Sequence, residues 1–109
     1  MIRYYYAGQR INLQIRIFWY NPMMVSVKKT LEQVLRGTAD ANISFSELCK
    51  LVLSLGFEER TKGSHHVFRK TDVVEQVNLQ KDGAKAKPYQ VRQVRKIILK
   101  YKLKGDKNG

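Results

Sequence analysis

The run ISFSELCKLVLSLGF, residues 43–57, constrains this chain more than any other stretch. Ser44 and Glu47 stand three apart as a capping box, in which each side chain serves the other residue's backbone N–H. Phe45, Leu48, Cys49, Val52 and Leu55 then recur at the spacing of one helical face, and Gly56 supplies a left-handed exit. The predicted element is an amphipathic helix with a marked start, a marked stop and an apolar stripe that another layer must cover.

The elements that could cover it follow directly. FEERT, residues 57–61, reads as a first strand ending at Lys62-Gly63, and HHVFRK as a second. Thr71-Asp72 makes a tight connection, and VVEQVNLQ, residues 73–80, reads as a third strand. KDGAKAK is a polar, lysine-bearing loop. Pro88 suits the first turn of a last helix, where Val91, Val94, Ile97, Ile98 and Tyr101 form the stripe and Arg92, Gln93, Lys96 and Lys100 point elsewhere. Upstream, VSVKKTLEQVLRG (25–37) reads as a short helix with Val27, Leu31, Val34 and Leu35 on one face and Gly37 at its end. TADAN is a polar connector, and LKGDKNG is a solvated end. The expected fold is α+β: a core of helix, three antiparallel strands and helix, with both helices on one sheet face and the other face open.

Strand parity separates the two histidines of GSHH. Neighbours in a strand face opposite sides. Phe68, the largest apolar residue of its strand, should face the helices, and His66 shares its parity. His65 should therefore look out from the open face. Gly63 tolerates positive φ and lets a phosphate approach the backbone, and Ser64 offers a hydroxyl. An imidazole changes charge near neutral pH, so an outward one beside Lys62 and Arg69 has the means to move protons. RNA cleavage asks for little more: a base for the 2′-hydroxyl and cations for the developing charge. On the residues alone, a satisfied structural histidine stands beside this reading.

Charge narrows the partners. The chain carries a net +12, of which residues 81–109 hold +8, with ten basic groups against Asp82 and Asp106. RNA, DNA, an acidic protein or an anionic membrane surface would each be attracted, and a merely solvated basic helix is the plain alternative. Lys85, Lys87, Arg92, Arg95 and Lys96 are the expected phosphate contacts, on charge grounds. At 43% hydrophobic the 109-residue chain has the material for one modest core and is not disordered in composition.

Cys49, the sole cysteine, excludes an internal disulfide and a cysteine-based zinc site, and is expected in the core. Two adjacent histidines on opposite strand faces do not chelate one ion, so neither a metal nor a cofactor is expected. No run of ~20 apolar residues suggests a membrane span, and a reducing, cytoplasmic setting fits. In residues 1–22, apolar positions are broken by Arg10, Asn12, Gln14 and Arg16, although INLQIRIF alternates as a strand would. The expected organisation is an extension over 1–22 outside the functional domain, an N-terminal helix and connector over 23–42, the functional domain over 43–103 and a tail over 104–109.

From ISFSELCKLVLSLGFEERTKGSHHVFRK through VNLQKDGAKAKPYQVRQVRKIILKYKL the chain resembles the HicA-family toxins of bacterial type II toxin–antitoxin systems. The pieces that carry the resemblance are the helix ending LGF, the GSHHVF block and the polar loop leading into a basic last helix. The resemblance implies a core like that of double-stranded-RNA-binding domains and a small endoribonuclease, an mRNA interferase, that halts translation. It also implies an active histidine after Gly-Ser, the place of His65, and a HicB-like antitoxin that covers the active face. Many members open the last helix with Gly-Thr, where this chain has KAKPYQVRQVR, so RNA contacts there do not carry over. No second acid–base group is evident; Lys62 and Arg69 would stabilise charge, and water would serve as the acid. The competing readings are a non-catalytic RNA-binding module and a basic protein whose role is to pair with an acidic partner.

Overall fold

The structure, a computed structural model, describes residues 22–104. The alternating INLQIRIF run, nearly all of the proposed extension, and residues 105–109 lie outside the described residues. The first helix, α1, spans Pro22–Arg36 and ends at Gly37 in the left-handed region (φ +74°). Its inward stripe is Val27, Leu31 and Val34, spaced i, i+4, i+7. Leu35, expected on that face, is 42% exposed; it falls one position past the stripe, about 100° round the helix. Thr30 takes an inward place instead, and is satisfied by donating to the Ser26 carbonyl at 3.0 Å.

The TADAN connector contains a 3-10 turn, Asp40–Asn42, and leads into α2, Phe45–Ser54. Half of the expected capping box forms. Ser44 Oγ accepts from the Glu47 N–H at 3.3 Å, but the Glu47 carboxylate does not reach back. It accepts instead from Ser26 Oγ of α1 and, at 3.3 Å, from Lys50 Nζ, so the glutamate ties two helices rather than closing its own. Gly56 provides the exit, at φ +99°.

The sheet is antiparallel, in the order β1 (Glu58–Lys62), β2 (His65–Arg69), β3 (Val77–Leu79). Lys62 pairs with His65 across the two-residue loop Gly63-Ser64. Gly63 has φ +63° and Ser64 does not have positive φ, the pattern of a type II′ hairpin turn. The third strand is shorter than the 73–80 expected. Residues before Val77 are drawn to the far end of the last helix: the Val74 N–H donates to Tyr101 Oη at 3.2 Å, and Glu75 accepts from Lys100 and Tyr101 at 2.8 and 2.7 Å.

The lysine-bearing loop is also more ordered than expected. It forms a two-stranded pair, β4 (Lys81–Asp82) and β5 (Lys85–Ala86), turned at Gly83. This pair is pinned to the segment before α2, with Ala86 N–H donating to the Ile43 carbonyl at 2.9 Å and Phe45 N–H to the Ala84 carbonyl at 3.0 Å. The last helix, α3, runs from Pro88 to Tyr101, with the proline at its start as expected. It closes on Lys102 in the left-handed region (φ 53°), which turns Leu103 back against the core rather than leaving it in the solvated end.

The core lies between sheet and helices. Phe68 and Leu79 are fully buried, with Val77, against Leu48, Leu51 and Val52 of α2 and Val91, Val94, Ile97 and Ile98 of α3. Each such side chain contributes roughly 1.5–3 kcal/mol by leaving water. This is the expected α+β fold: a helix-strand-strand-strand-helix core consistent with the double-stranded-RNA-binding type, joined by α1.

Candidate functional site

Register decides what surrounds the histidines. In β2, Phe68 is fully buried and His66 shares its side, half-buried at the core margin. The His66 ring meets the Phe45 ring edge-on at 5.1 Å, and its Nδ1 lies 2.5 Å from Glu59 Oε2, which also accepts from Thr61 Oγ1 at 3.1 Å. His66 is thus a satisfied structural residue.

His65 has the other parity and is exposed. Lys62 stands directly opposite on β1. The β2–β3 register pairs His66 with Leu79 and Val67 with Asn78; one step further it brings Gln80 beside His65. Arg60 and Asn78, both opposite Val67, are the diagonal neighbours, within about 7–8 Å by Cα spacing. The Asn78 Oδ1 lies 3.4 Å from His65 Nδ1. With that amide oxygen accepting from Nδ1–H, the lone pair resides on Nε2, the ring nitrogen directed away from Asn78.

The expected neighbours divide into two groups. Ser64, Gly63 and Lys62 are at the site: Ser64 Oγ accepts from Gln80 Nε2 at 3.4 Å, and no atom of the described residues crowds the space a Cβ on Gly63 would fill. Lys87 joins them, its Nζ 3.5 Å from Gln80 Oε1. Arg69 does not. It lies four residues along β2, about 13 Å away, where it donates to Gln76 Oε1 at 3.1 Å. There it borders an open depression of ≈ 450 Å³ shared with Glu58 and Lys70.

Lys85, Arg92 and Arg95 gather near the 3-10 turn instead. Lys85 Nζ donates to Asn42 Oδ1 at 3.4 Å. Arg95 grips both Asp40 oxygens, at 2.9 and 3.0 Å, and the Val34 carbonyl at 3.0 Å. Its guanidinium is committed within the fold. Hydrogen bonding from Arg95, aided by the charge of Arg92, holds the Asp40 carboxyl below the usual carboxylate range, and the same pair raises the arginine. Lys96 is exposed on α3.

Burial, with the nearby Glu59 charge, pushes the Cys49 thiol up to about 11, so it is neutral near pH 7 and a poor nucleophile or ligand. No cluster of three or more His, Cys, Asp or Glu that could hold a metal occurs among the described residues, and none of their helices is long and apolar enough to cross a membrane.

Sequence reasoning missed Arg60, Asn78, Gln80 and Gln90. The first three carry a signal in principle, since Arg60 and Asn78 have the outward parity of their strands and Gln80 continues it one residue past β3, but using it requires the register. Gln90 is buried and accepts the Gln80 N–H at 3.0 Å, fastening the first turn of α3 to the strand beside His65.

Fold and site together define a small basic α+β protein with one exposed imidazole, flanked by lysines, on the sheet face that the described helices leave uncovered. The family model described as HicA toxin of bacterial toxin-antitoxin matches residues 45–100, from the first residue of α2 to the last turn of α3. The chain belongs to the HicA toxin family, and its role is that of a toxin in a toxin–antitoxin system, which implies an antitoxin partner. Comparison with curated proteins returns no match, and neither does comparison with solved structures.

Proposed function

We propose that this toxin is a metal-independent endoribonuclease that cleaves mRNA, with His65 as its acid–base residue. The observation that carries the reading is His65 itself. It is exposed on the open face, tethered at Nδ1 by Asn78 and faced by Lys62. In the proposed reaction Nε2 takes the proton of a ribose 2′-hydroxyl. The 2′-oxygen forms a bond to the adjacent phosphorus, the bond to the 5′-oxygen breaks, and water supplies the proton that this oxygen needs. The products are a 2′,3′-cyclic phosphate and a free 5′-hydroxyl. Lys62 and Lys87 offset the charge that builds on the phosphate oxygens, while Gly63 leaves room for the backbone to approach and Ser64 donates a hydrogen bond.

Arg92 and Lys96, with Lys85, are available to hold flanking phosphates; Arg95, occupied by Asp40, is left out of that set. The functional domain is taken as residues 43–103, with α1 as a support docked on α2 and α3. The antitoxin is inferred to be HicB-like, to cover the His65 face and to complement the positive charge with acidic groups. The setting is inferred to be the cytoplasm, where mRNA is found.

Purified protein and its His65→Ala variant, each incubated with RNA in EDTA, provide the test. Cleavage by the parent and not by the variant is expected. Parent and variant both leaving RNA intact would favour a non-catalytic RNA-binding module; equal cleavage would remove His65 from the chemistry.

A further inference from the structure

We infer that Tyr89 is a base-stacking residue of this site, a flat platform for an unpaired nucleobase next to the phosphate at His65. The inference rests on the RNA-cleaving reading above and adds a specificity element to it. Tyr89 is 57% exposed, although it occupies the first turn of a helix whose opposite face is core. Tyr89 is not among the residues that build or pack against the core of the described residues. Its neighbours do point somewhere.

Tyr89 Oη lies 3.4 Å from Gln90 Nε2, and the same Gln90 amide accepts the backbone N–H of Gln80 through Oε1 at 3.0 Å. Gln80 stands beside His65 across the sheet, reaches Ser64 Oγ with its own amide and accepts from Lys87. A continuous polar chain thus runs from the tyrosine hydroxyl to the turn that carries the imidazole. Gln90 is 96% buried, so the anchor of that chain lies inside the fold. The hydroxyl is held while more than half of the residue stays exposed among the described residues, with Lys87 two residues before and Arg92 three residues after.

An exposed ring between cations is what recognition of single-stranded nucleic acid requires: the cations follow the backbone and the ring takes a base, whatever its identity, because every base has a π-face. A duplex keeps its bases stacked on one another and has none to offer. In-line attack by a 2′-hydroxyl also needs a nucleotide free to leave helical geometry. Tyr89 would therefore favour unpaired RNA and hold the nucleotide next to the scissile bond in place.

The test uses the full chain carrying His65→Ala, so that RNA survives the measurement. Fluorescence anisotropy would follow a labelled single-stranded oligoribonucleotide, and the same strand annealed to its complement, at fixed low salt. Adding Tyr89→Ala should weaken single-strand binding about 5- to 150-fold and leave duplex binding within about 2-fold. Tyr89→Phe and Tyr89→Trp should restore it, because the ring and not the hydroxyl stacks. Tyr89→Leu keeps bulk without a π-face and should fail to restore it; it also replaces the alanine variant if that one does not fold by circular dichroism.

Unchanged single-strand affinity in Tyr89→Ala, alongside a parent that cleaves RNA, overturns the stacking role alone and leaves the ring as a contact for the antitoxin. Equal losses on single strand and duplex also overturn it. A parent that neither binds nor cleaves RNA overturns this inference together with the reading it rests on.

Discussion

Arg95 is the sharpest test of how this fold distributes its charge, because the sequence assigns it to RNA and the structure to Asp40. Its guanidinium makes two parallel bonds to that carboxylate and a third to the Val34 carbonyl, one of the acceptors that the end of α1 leaves without a helical partner. The arginine side chain retains 20% of its exposure and the aspartate 15%. Exposed pairs contribute ~0.2–1 kcal/mol, whereas removing one partner of a fully buried pair costs ~3–5 kcal/mol.

With about four-fifths of both side chains out of water, Arg95→Met should cost roughly 2–3 kcal/mol. For a domain of this size that lowers Tm by about 10–20 °C. Thermal melts followed by far-ultraviolet circular dichroism, on Arg95→Met, Asp40→Asn and the double variant, give the coupling directly. The sign with pH follows from the lowered Asp40 carboxyl. Its stabilisation is present above the unfolded value, near 4, and is lost as pH falls through the lower folded value. The gap between parent and Arg95→Met should hold above about pH 5 and narrow in acid. A Tm loss below about 3 °C, or negligible coupling to Asp40, would refute the reasoning and return Arg95 to the phosphate-binding set.

Two further outcomes are expected. Phe68→Ala should cost about 3–5 kcal/mol as a core truncation, while His65→Ala, on the open face, should leave Tm nearly unchanged; equal losses would contradict the inward and outward assignment. Cys49, with its thiol pushed up to about 11, should be alkylated slowly by iodoacetamide at pH 8 in the native protein and readily in denaturant. Because that thiol's folded value is raised, its contribution to stability is intact below about pH 9 and lost as pH rises towards 11. Equal native and denatured rates would show the thiol to be accessible.

Local order was legible wherever one residue's effect is confined to its own turn or strand. Ser44, the stripe from Phe45 to Leu55 and Gly56 set α2, and Pro88 set the start of α3. Even there the reading stopped at contacts between elements. Glu47 has the spacing to cap its own helix, yet a serine on α1 claims it. The residues around 73–76 have strand-like composition, yet Lys100 and Tyr101, about 25 positions on, hold them away from β2. KDGAKAK reads as a polar, lysine-bearing loop, yet its backbone found partners at Ile43 and Phe45.

The histidines mark the same boundary. Period-two alternation, with Phe68 as the reference, was enough to turn His65 outward and His66 inward, since parity is a property of the strand alone. Which groups meet those rings is a property of three strands at once: a shift of one residue in pairing would exchange every neighbour. Glu59 at His66, and Asn78 and Gln80 beside His65, therefore had to await the register. Chain order and periodicity by themselves determined the layers, the buried stripes and the outward imidazole. Only the packed structure decided which cations stay free for a polyanion and which, like Arg95, are used in holding the helices together, because a charge is spent by whatever lies within about 3 Å of it in space.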